Sequence, residues 1–236
     1  MTTFHPSETR SEIFYPSEDG EPLAESYVHL NAILTTLEVL RQYLSDQQAT
    51  VLSNQFLYYA QGFPKLRVAP DVMVIFNVTP GGRDNYKIWE EGQIPAVIFE
   101  MTSKGTQRED LETKKTLYEN LGVTEYWLFD PKGEWIEEKL RGYRLVNETY
   151  QFIQDGHSKP LNLDLQVEDT LIGFYRVDTG EKLLIPEELA QALKQAVQAR
   201  EDAERRAEEE HQRVLELEAR LARYQQQFGN LPENDS

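Results

Sequence analysis

Residues 95–115, PAVIFEMTSKGTQREDLETKK, decide the fold and raise the question of function. An apolar run typical of a buried strand ends at a carboxylate, Glu100, and the turn SKG follows it. The next segment has helical spacing and carries the adjacent lysines Lys114 and Lys115. A charged group at the end of a core strand is costly unless it finds a partner. The stretch therefore predicts that Glu100 binds a cation, either a lysine or a metal ion.

Composition places the chain among soluble proteins. Its 236 residues, 39% of them hydrophobic, suffice for one sizeable domain and an appendage. The absence of cysteine excludes disulfides and thiolate metal sites and suits a reducing cytosol. The N-terminus has no apolar signal-peptide core, and no run reaches the roughly 20 apolar residues that cross a bilayer. We expect a cytoplasmic protein with no membrane span.

The net charge of -17 limits which partners are plausible. The segment from Glu187 onward holds 12 acids and 7 bases, which leaves a balance of -12 for the preceding residues. Nucleic-acid affinity rests largely on Lys and Arg that neutralise phosphates. Any contact with DNA must therefore use a local basic patch or a metal ion.

Patterning divides the chain into four regions. These are an extended arm over 1–22, a globular domain over 23–186, a coiled-coil helix over 187–228 and a disordered tail over 229–236. Within the domain we predict, in order, a helix over 25–44, strands over 51–60, 68–78 and 95–101, a helix over 106–122, a strand over 123–131 and a closing β meander. This order describes an α/β or α+β body.

The predicted helix after Glu100 has clear N-terminal and C-terminal capping signals and one unusual residue. Thr106 and Glu109 have the spacing of a capping box, and Gly122 follows the last helical residue. Lys114 lies on the inward apolar stripe, in register with Leu111 and Tyr118. An ammonium that faces a sheet needs a carboxylate partner. The alternative is that the aliphatic part of Lys114 lies along the apolar surface and its ammonium reaches solvent.

Asp71 opens the strand that precedes Glu100 in the chain. If the two strands are neighbours, the two carboxylates meet at one sheet edge, where they repel unless a proton or a cation lies between them. Mg²⁺ is commonly held by one or two carboxylates and waters. The alternative for each acid alone is an ordinary turn or capping residue.

The C-terminal segment has a different character. Apolar residues follow a 4-3 spacing from Leu189 to Phe228, which is the pattern of a coiled-coil seam. Arg200 and Glu210 interrupt the seam, and three alanines reduce the apolar surface in its middle. The spacing favours self-association into a homo-oligomer or docking onto the domain, and a single solvated helix remains the alternative.

Several motifs together resemble a known family. They are PDVMVIF, PAVIFEMTS, the helix spacing Asp110, Lys114, Tyr118, and the phrase GVTEYW that runs on to Asp130 and Pro131. Over residues 25–185 the sequence resembles the PD-(D/E)xK restriction-endonuclease-like superfamily, and more closely the Uma-two-type family of bacterial endonucleases. The resemblance implies an αβββαβ core with an added β meander, here followed by the long C-terminal helix.

The resemblance also implies a site. Asp71 and Glu100 would be ligands of Mg²⁺, for which Mn²⁺ is a substitute, with help from the main-chain carbonyl of Met101. Glu25 is the candidate for an accessory acid of the first helix. The superfamily places a lysine two residues after the glutamate, but this chain has Thr102 there.

Two lysines are candidates for the missing charge, and two functions remain open. Lys114 could supply the charge from the helix, and Lys104 could supply it from the turn. The first function is a Mg²⁺-dependent endonuclease that hydrolyses DNA. The second is a catalytically inactive nuclease-fold module that assembles through its coiled coil.

Overall fold

The computed structural model describes residues 13–20 and 26–229. Glu25, most of the predicted arm and most of the predicted tail lie outside these residues. The described residues form two compact units, one ending at Ile185 and the other beginning at Pro186. Both are described separately below.

The first unit has a mixed α/β composition. Its helices are α1 (Tyr27–Tyr43), α2 (Ile88–Glu91), a π-helical segment (Glu109–Lys114) and α3 (Lys115–Leu121). Its strands are β1 (Ala49–Leu52), β2 (Leu57–Tyr58), β3 (Arg67–Val68), β4 (Val72–Phe76), β5 (Tyr86–Lys87), β6 (Val97–Met101), β7 (Glu125–Phe129), β8 (Leu140–Val146), β9 (Thr149–Ile153), β10 (His157–Ser158), β11 (Leu163–Glu168) and β12 (Leu171–Arg176).

A six-stranded sheet in the order β1-β4-β6-β7-β8-β9 forms the centre of the unit. Only β6 and β7 run parallel, and the other pairs are antiparallel. A parallel pair needs a crossover, and the π-helical segment with α3 supplies it. The order α1, β1, β4, β6, α3, β7 confirms the expected αβββαβ core, and β8 and β9 extend it as a meander.

The pleat of β6 divides its residues between two faces of the sheet. Val97, Phe99 and Met101 join the apolar core that includes α1. Ile98 faces the other core, which includes Tyr118 of α3. Glu100 follows Ile98 by two residues and therefore points to the same side of the sheet, the α3 face. The sheet thus directs this carboxylate toward the helix that carries Lys114.

Two short sheets lie outside the central one and were not predicted as such. The strand expected over 51–60 is broken into β1 and β2, which belong to different sheets. The break falls at Asn54, which has a positive φ of 55° and donates its amide to the carbonyl of Pro70. Strand β2 pairs with β3 and β5, and β10, β11 and β12 form the third sheet.

The predicted helix over 106–122 also differs from expectation in its first half. Its middle is the π-helical segment rather than a regular α-helix. The hydroxyl of Thr106 accepts a hydrogen bond from the amide of Ser103 at 3.2 Å, so it is used in the turn instead of in the predicted capping box. The predicted end is confirmed, because Gly122 adopts a left-handed conformation with φ 86°.

The second unit is the helix α4 (Pro186–Phe228), 43 residues long. This confirms a long C-terminal helix. Ion pairs within it include Arg200 with Glu204, four residues apart. The apolar side chains of the 4-3 seam are exposed, as at Leu193 (64%) and Leu217 (56%). Among the described residues, no helix combines the length and apolar character needed to cross a membrane.

Candidate active site

Asp71 and Glu100 face each other across neighbouring strands. In the antiparallel pairing of β4 and β6, Val72 lies opposite Phe99. One step further along the same register places Asp71 opposite Glu100, and the pleat puts both on the α3 face. The amide of Met101 donates to Oδ2 of Asp71 at 2.6 Å and fixes that carboxylate at the end of β6. The expectation that the two acid-bearing strands are neighbours is confirmed.

Glu100 is completely buried, and both of its oxygens have donors. The hydroxyl of Tyr118 donates to Oε1 at 2.6 Å. The ammonium of Lys114 donates to Oε2 at 2.9 Å. Lys114 itself is only 12% exposed along its side chain. The inward lysine predicted from helical spacing therefore reaches the strand-end acid, and Lys115 instead places its ammonium over the ring of Tyr143.

The π-helical segment brings a third acid to Lys114. Oδ1 of Asp110 lies 3.0 Å from Nζ of Lys114, and Asp110 is 1% exposed. The hydroxyl of Tyr126 donates to the main-chain carbonyl of Asp110 at 2.9 Å and holds this turn of the helix against the sheet. Oδ2 of Asp110 has no hydrogen-bond partner within the described part of the chain. Turns of π-helix occur frequently at functional sites.

Three carboxylates surround one ammonium, and this imbalance sets the protonation of the site. Burial raises the pKa of Glu100, the positive charge of Lys114 lowers it, and the negative charges of Asp71 and Asp110 raise it again, to about 8. Burial alone would lower the pKa of Lys114, but the neighbouring carboxylates outweigh it and raise that pKa. The lysine therefore stays charged beside a cluster of three carboxyl groups.

Two buried tyrosines border the acids as neutral donors. Burial raises the pKa of Tyr118, and the negative charge of Glu100 raises it further. The same two causes raise the pKa of Tyr126. Both hydroxyls therefore keep their protons at neutral pH and act as fixed hydrogen-bond donors.

The donor set fits a hard divalent cation. Among the residues that the structure describes, no three His, Cys, Asp or Glu side chains form a ready-made metal cage. Mg²⁺ does not require one, because it is commonly held by one or two carboxylates and several waters. Asp71 and Glu100 supply such oxygens on one face, and the unbonded Oδ2 of Asp110 is a further one. A cation here would also reduce the repulsion between these carboxyl groups.

The remaining sequence candidates are placed elsewhere. Lys104 lies exposed in the turn after β6. Thr102, at the position of the superfamily lysine, is 2% exposed, and its amide donates to the carbonyl of Phe129 at 2.7 Å. Glu25 falls outside the described residues, so the structure assigns it no position.

Sequence reasoning gave no role in the site to Asp110 and Tyr118. Both were visible as part of a motif, and their spacing of four residues on either side of Lys114 places all three on one helical face. From that spacing alone, the position of both residues beside Lys114 could have been predicted. The contact of each side chain with a particular partner depends on the helix docking on β6, which the spacing alone does not specify.

The order of helices and strands around this site is that of a restriction-endonuclease-like protein. The Uma2 family, described as "Putative restriction endonuclease", matches residues 4–175, well over half of the chain. The chain therefore belongs to this family. Among solved structures, it is similar to "a putative nuclease belonging to DUF820 from Anabaena variabilis ATCC 29413". That similarity has 13% identity and a TM-score of 0.43, and it covers 58% of this chain and 72% of the other. Comparison with curated proteins finds no match.

Proposed function

We propose that the protein is a Mg²⁺-dependent endonuclease that hydrolyses phosphodiester bonds of DNA. The observation that carries this proposal is the contact of Lys114 with a fully buried Glu100 at 2.9 Å, opposite Asp71 on the next strand. Membership of a family of restriction-endonuclease-like proteins supports the reaction class. The local excess of acids supports a cation as the means by which this acidic domain binds phosphate.

In this proposal Asp71 and Glu100 hold the metal ion, with the carbonyl of Met101 as a further ligand. When bound, Mg²⁺ supplies a Lewis acid that polarises the phosphate and acidifies a water. Lys114 donates to the negative charge that develops as the water oxygen bonds to phosphorus and the bond to the departing oxygen breaks. Tyr118 and Asp110 keep Glu100 and Lys114 in place.

A second candidate function is an inactive nuclease-fold module that self-associates through α4. Two observations favour it: Thr102 stands where the superfamily has a lysine, and the apolar seam of α4 is exposed. Fold alone does not establish activity. Replacing Leu193 and Leu217 by serine in the full chain should turn an oligomer into a monomer in sedimentation experiments. A wild-type chain that is already monomeric would contradict this candidate.

The metal site is tested by calorimetric titration of Mn²⁺ into the wild type, Asp71→Asn and Glu100→Gln. Mn²⁺ suits oxygen ligands and requires no assumption about the DNA substrate. We expect binding to the wild type and a loss of about tenfold or more in each variant, because each removes a charged oxygen ligand. Glu112→Gln is the control, since Glu112 lies on the π-helical segment that carries Lys114 but is exposed.

Cleavage of supercoiled plasmid DNA with Mg²⁺ tests the reaction itself. The wild type should nick the plasmid, and Lys114→Met should lose most of that activity while it still binds Mn²⁺. Equal Mn²⁺ affinity in the wild type and Asp71→Asn would overturn the assigned ligands. Tight Mn²⁺ binding with no cleavage of any DNA form would favour the inactive module.

A further inference from the structure

A second concave site lies at the carboxyl ends of the parallel strands β6 and β7. The first turn of α1, the turn after β6 and the loop after β7 enclose a pocket of about 460 Å³. Its polar and aromatic lining includes Ser26, Thr102, Lys104, Thr106, Lys132 and Trp135. The acids of the candidate active site do not line it. Carboxyl ends of strands in such sheets are a common location for ligand sites.

Thr102 gives the clearest sign that this pocket takes a ligand. Thr102 is almost completely buried and is one of the residues that line the pocket, yet its hydroxyl has no hydrogen-bond partner among the described residues. A buried hydroxyl without a partner costs free energy. A ligand oxygen in the pocket would provide the missing hydrogen bond. Thr102 is also the residue at which the family's usual lysine is absent.

The electrostatics of the pocket favour an anion. Ser26 is the N-cap of the 17-residue helix α1, whose first turn contains no acidic residue, and helix N-termini bind phosphate. Lys104 and Lys132 line the same pocket, and neither has an ion pair within the described ranges. Two unpaired cations beside a helix N-terminus stand out in a unit that is strongly acidic overall.

The acids near the pocket do not cancel this character. The carboxylate of Asp130 accepts hydrogen bonds from four backbone amides of its own loop, including those of Gly133 and Trp135. Its charge is therefore used to fold the loop that presents Lys132. Glu134 also lines the pocket and is exposed to solvent, as are Lys104 and Lys132, so the lining holds one such acid against two cations.

Trp135 supplies an apolar surface beside the cations. Its ring is half-buried, and its amide is tied to Asp130. Nucleobases stack on such aromatic side chains with little dependence on base identity. The pocket volume lies within the range of small-molecule sites, about 300–1,000 Å³. A phosphate, a sugar and a base together match the cations, the threonine hydroxyl and the indole.

We propose that this pocket binds one nucleotide, with its phosphate at Lys104, Lys132 and the start of α1 and its base against Trp135. The nucleotide can belong to the DNA strand or be a free nucleotide. The first source rests on the proposed nuclease function, because Thr102 follows Glu100 by two residues and would place that nucleotide beside the metal site. The second source does not depend on it.

The test is equilibrium binding of dAMP, measured by calorimetry in EDTA so that no metal contributes. The wild type and Glu112→Gln should bind dAMP equally, because Glu112 is exposed and does not line the pocket. The double variant Lys104→Ala/Lys132→Ala should bind dAMP with an affinity lower by about tenfold or more, which is typical for the loss of hydrogen bonds to a charged group. Trp135→Leu should lower the dAMP affinity by about fivefold or more, because the base can no longer stack on the indole. Thr102→Val should also lower the dAMP affinity, while its thermal stability stays the same or rises.

Controls separate the pocket from general charge and from the nuclease proposal. Lys65→Ala/Lys194→Ala removes two exposed lysines outside the pocket and should leave dAMP affinity unchanged. A 5′-phosphorylated oligonucleotide that competes with dAMP more strongly than dAMP itself would identify a DNA strand as the source. Competition by mononucleotides alone would identify a free nucleotide. Absence of dAMP binding, or binding that survives the pocket variants, would overturn the inference even if Mn²⁺ binding and cleavage were observed.

Discussion

The protein contains two fully buried glutamates on adjacent parallel strands, and their surroundings are opposite in kind. Glu100 is the penultimate residue of β6 and faces α3, whereas Glu125 begins β7 and faces the other side of the sheet. Both carboxylates are 0% exposed. Burial alone therefore does not distinguish a structural acid from a functional one, and the partners of each acid must decide.

Glu125 has a balanced set of partners. The guanidinium of Arg144 donates to Oε1 at 2.8 Å, and the amide of Lys159 donates to the same oxygen at 3.0 Å. The indole of Trp127 donates to Oε2 at 3.1 Å. One negative charge meets one positive charge and two neutral donors. This arrangement ties β7, β8 and the segment before β11 together.

Glu100 shares its single cation with other acids. Lys114 contacts both Glu100 and Asp110, and Asp71 lies opposite on β4. One ammonium therefore serves two buried carboxylates, Glu100 and Asp110, and a third carboxylate, Asp71, lies beside them. Such an arrangement costs stability and is typical of sites that bind a charged ligand. The comparison thus teaches that crowding by like charge, more than burial, marks the candidate active site.

The largest expected effect is a loss of stability when Glu125 loses its cation, Arg144; this pair is called the balanced site below. Arg144→Met leaves Glu125 buried without its cation, and removing one member of a buried pair costs about 3–5 kcal/mol. Chemical denaturation should show this loss in the free energy of unfolding. Arg108→Met is the matched control, because Arg108 pairs with Glu112 at the surface and its side chain is 86% exposed; the control should change stability by less than about 1 kcal/mol. Equal stability of the two variants would refute the structural role of Glu125.

The second prediction concerns the pH dependence of stability at the crowded site, which consists of Glu100, Asp71, Asp110 and Lys114. In the folded protein the pKa of Glu100 is raised from 4.5 to about 8, first by burial and then by the neighbouring acids. Between these values the folded state keeps a proton that the unfolded state releases, so stability must fall as pH rises through this window. Without metal, urea denaturation should show a loss of a few kcal/mol between about pH 5 and about pH 8.

Glu100→Gln should remove this slope, because glutamine does not titrate. At the upper end of the window the variant should be more stable than the wild type, which is the reverse of what Arg144→Met does at the balanced site. Glu112→Gln should keep the wild-type slope. Parallel pH profiles of the wild type and Glu100→Gln would show that the crowding is relieved by another group.

The main elements of the core were predictable because they depend on local patterns. The apolar run before Glu100, Gly122 after the helix and the Asp130-Pro131 stop each mark an element boundary, and the family motif adds their order. The small sheets were missed because their strands are as short as two residues and form through tertiary pairing. The break at Asn54 depends on a hydrogen bond to Pro70, sixteen residues away, and no local pattern records it.

The site was predictable to the level of residue types on a face, but its hydrogen bonds were not. Helical spacing correctly turned Lys114 inward, and strand alternation placed Asp71 and Glu100 together. The π-helical segment does not follow from propensity, so the second contact of Lys114, with Asp110, was not foreseen. Glu125 was missed as a buried charge because its cation, Arg144, comes from the meander beyond the core.

The smallest expected effect separates stability from function at the crowded site. Tyr118→Phe removes the donor to Oε1 of Glu100 and should cost about 1 kcal/mol of stability, the usual net value of a hydrogen bond. Tyr150→Phe is the control, because its hydroxyl donates to the carbonyl of Val123 at 3.0 Å and its loss should cost a similar amount.

The two tyrosine variants should differ in Mn²⁺ affinity at neutral pH. The hydrogen bond from Tyr118 lowers the pKa of Glu100, so without it the acid holds its proton more firmly. A metal ion must displace that proton, and affinity should fall several-fold in Tyr118→Phe and not in Tyr150→Phe. The deficit should shrink as pH rises, because the carboxylate then ionises without metal. An equal and pH-independent change in both variants would show that Tyr118 only supports the fold.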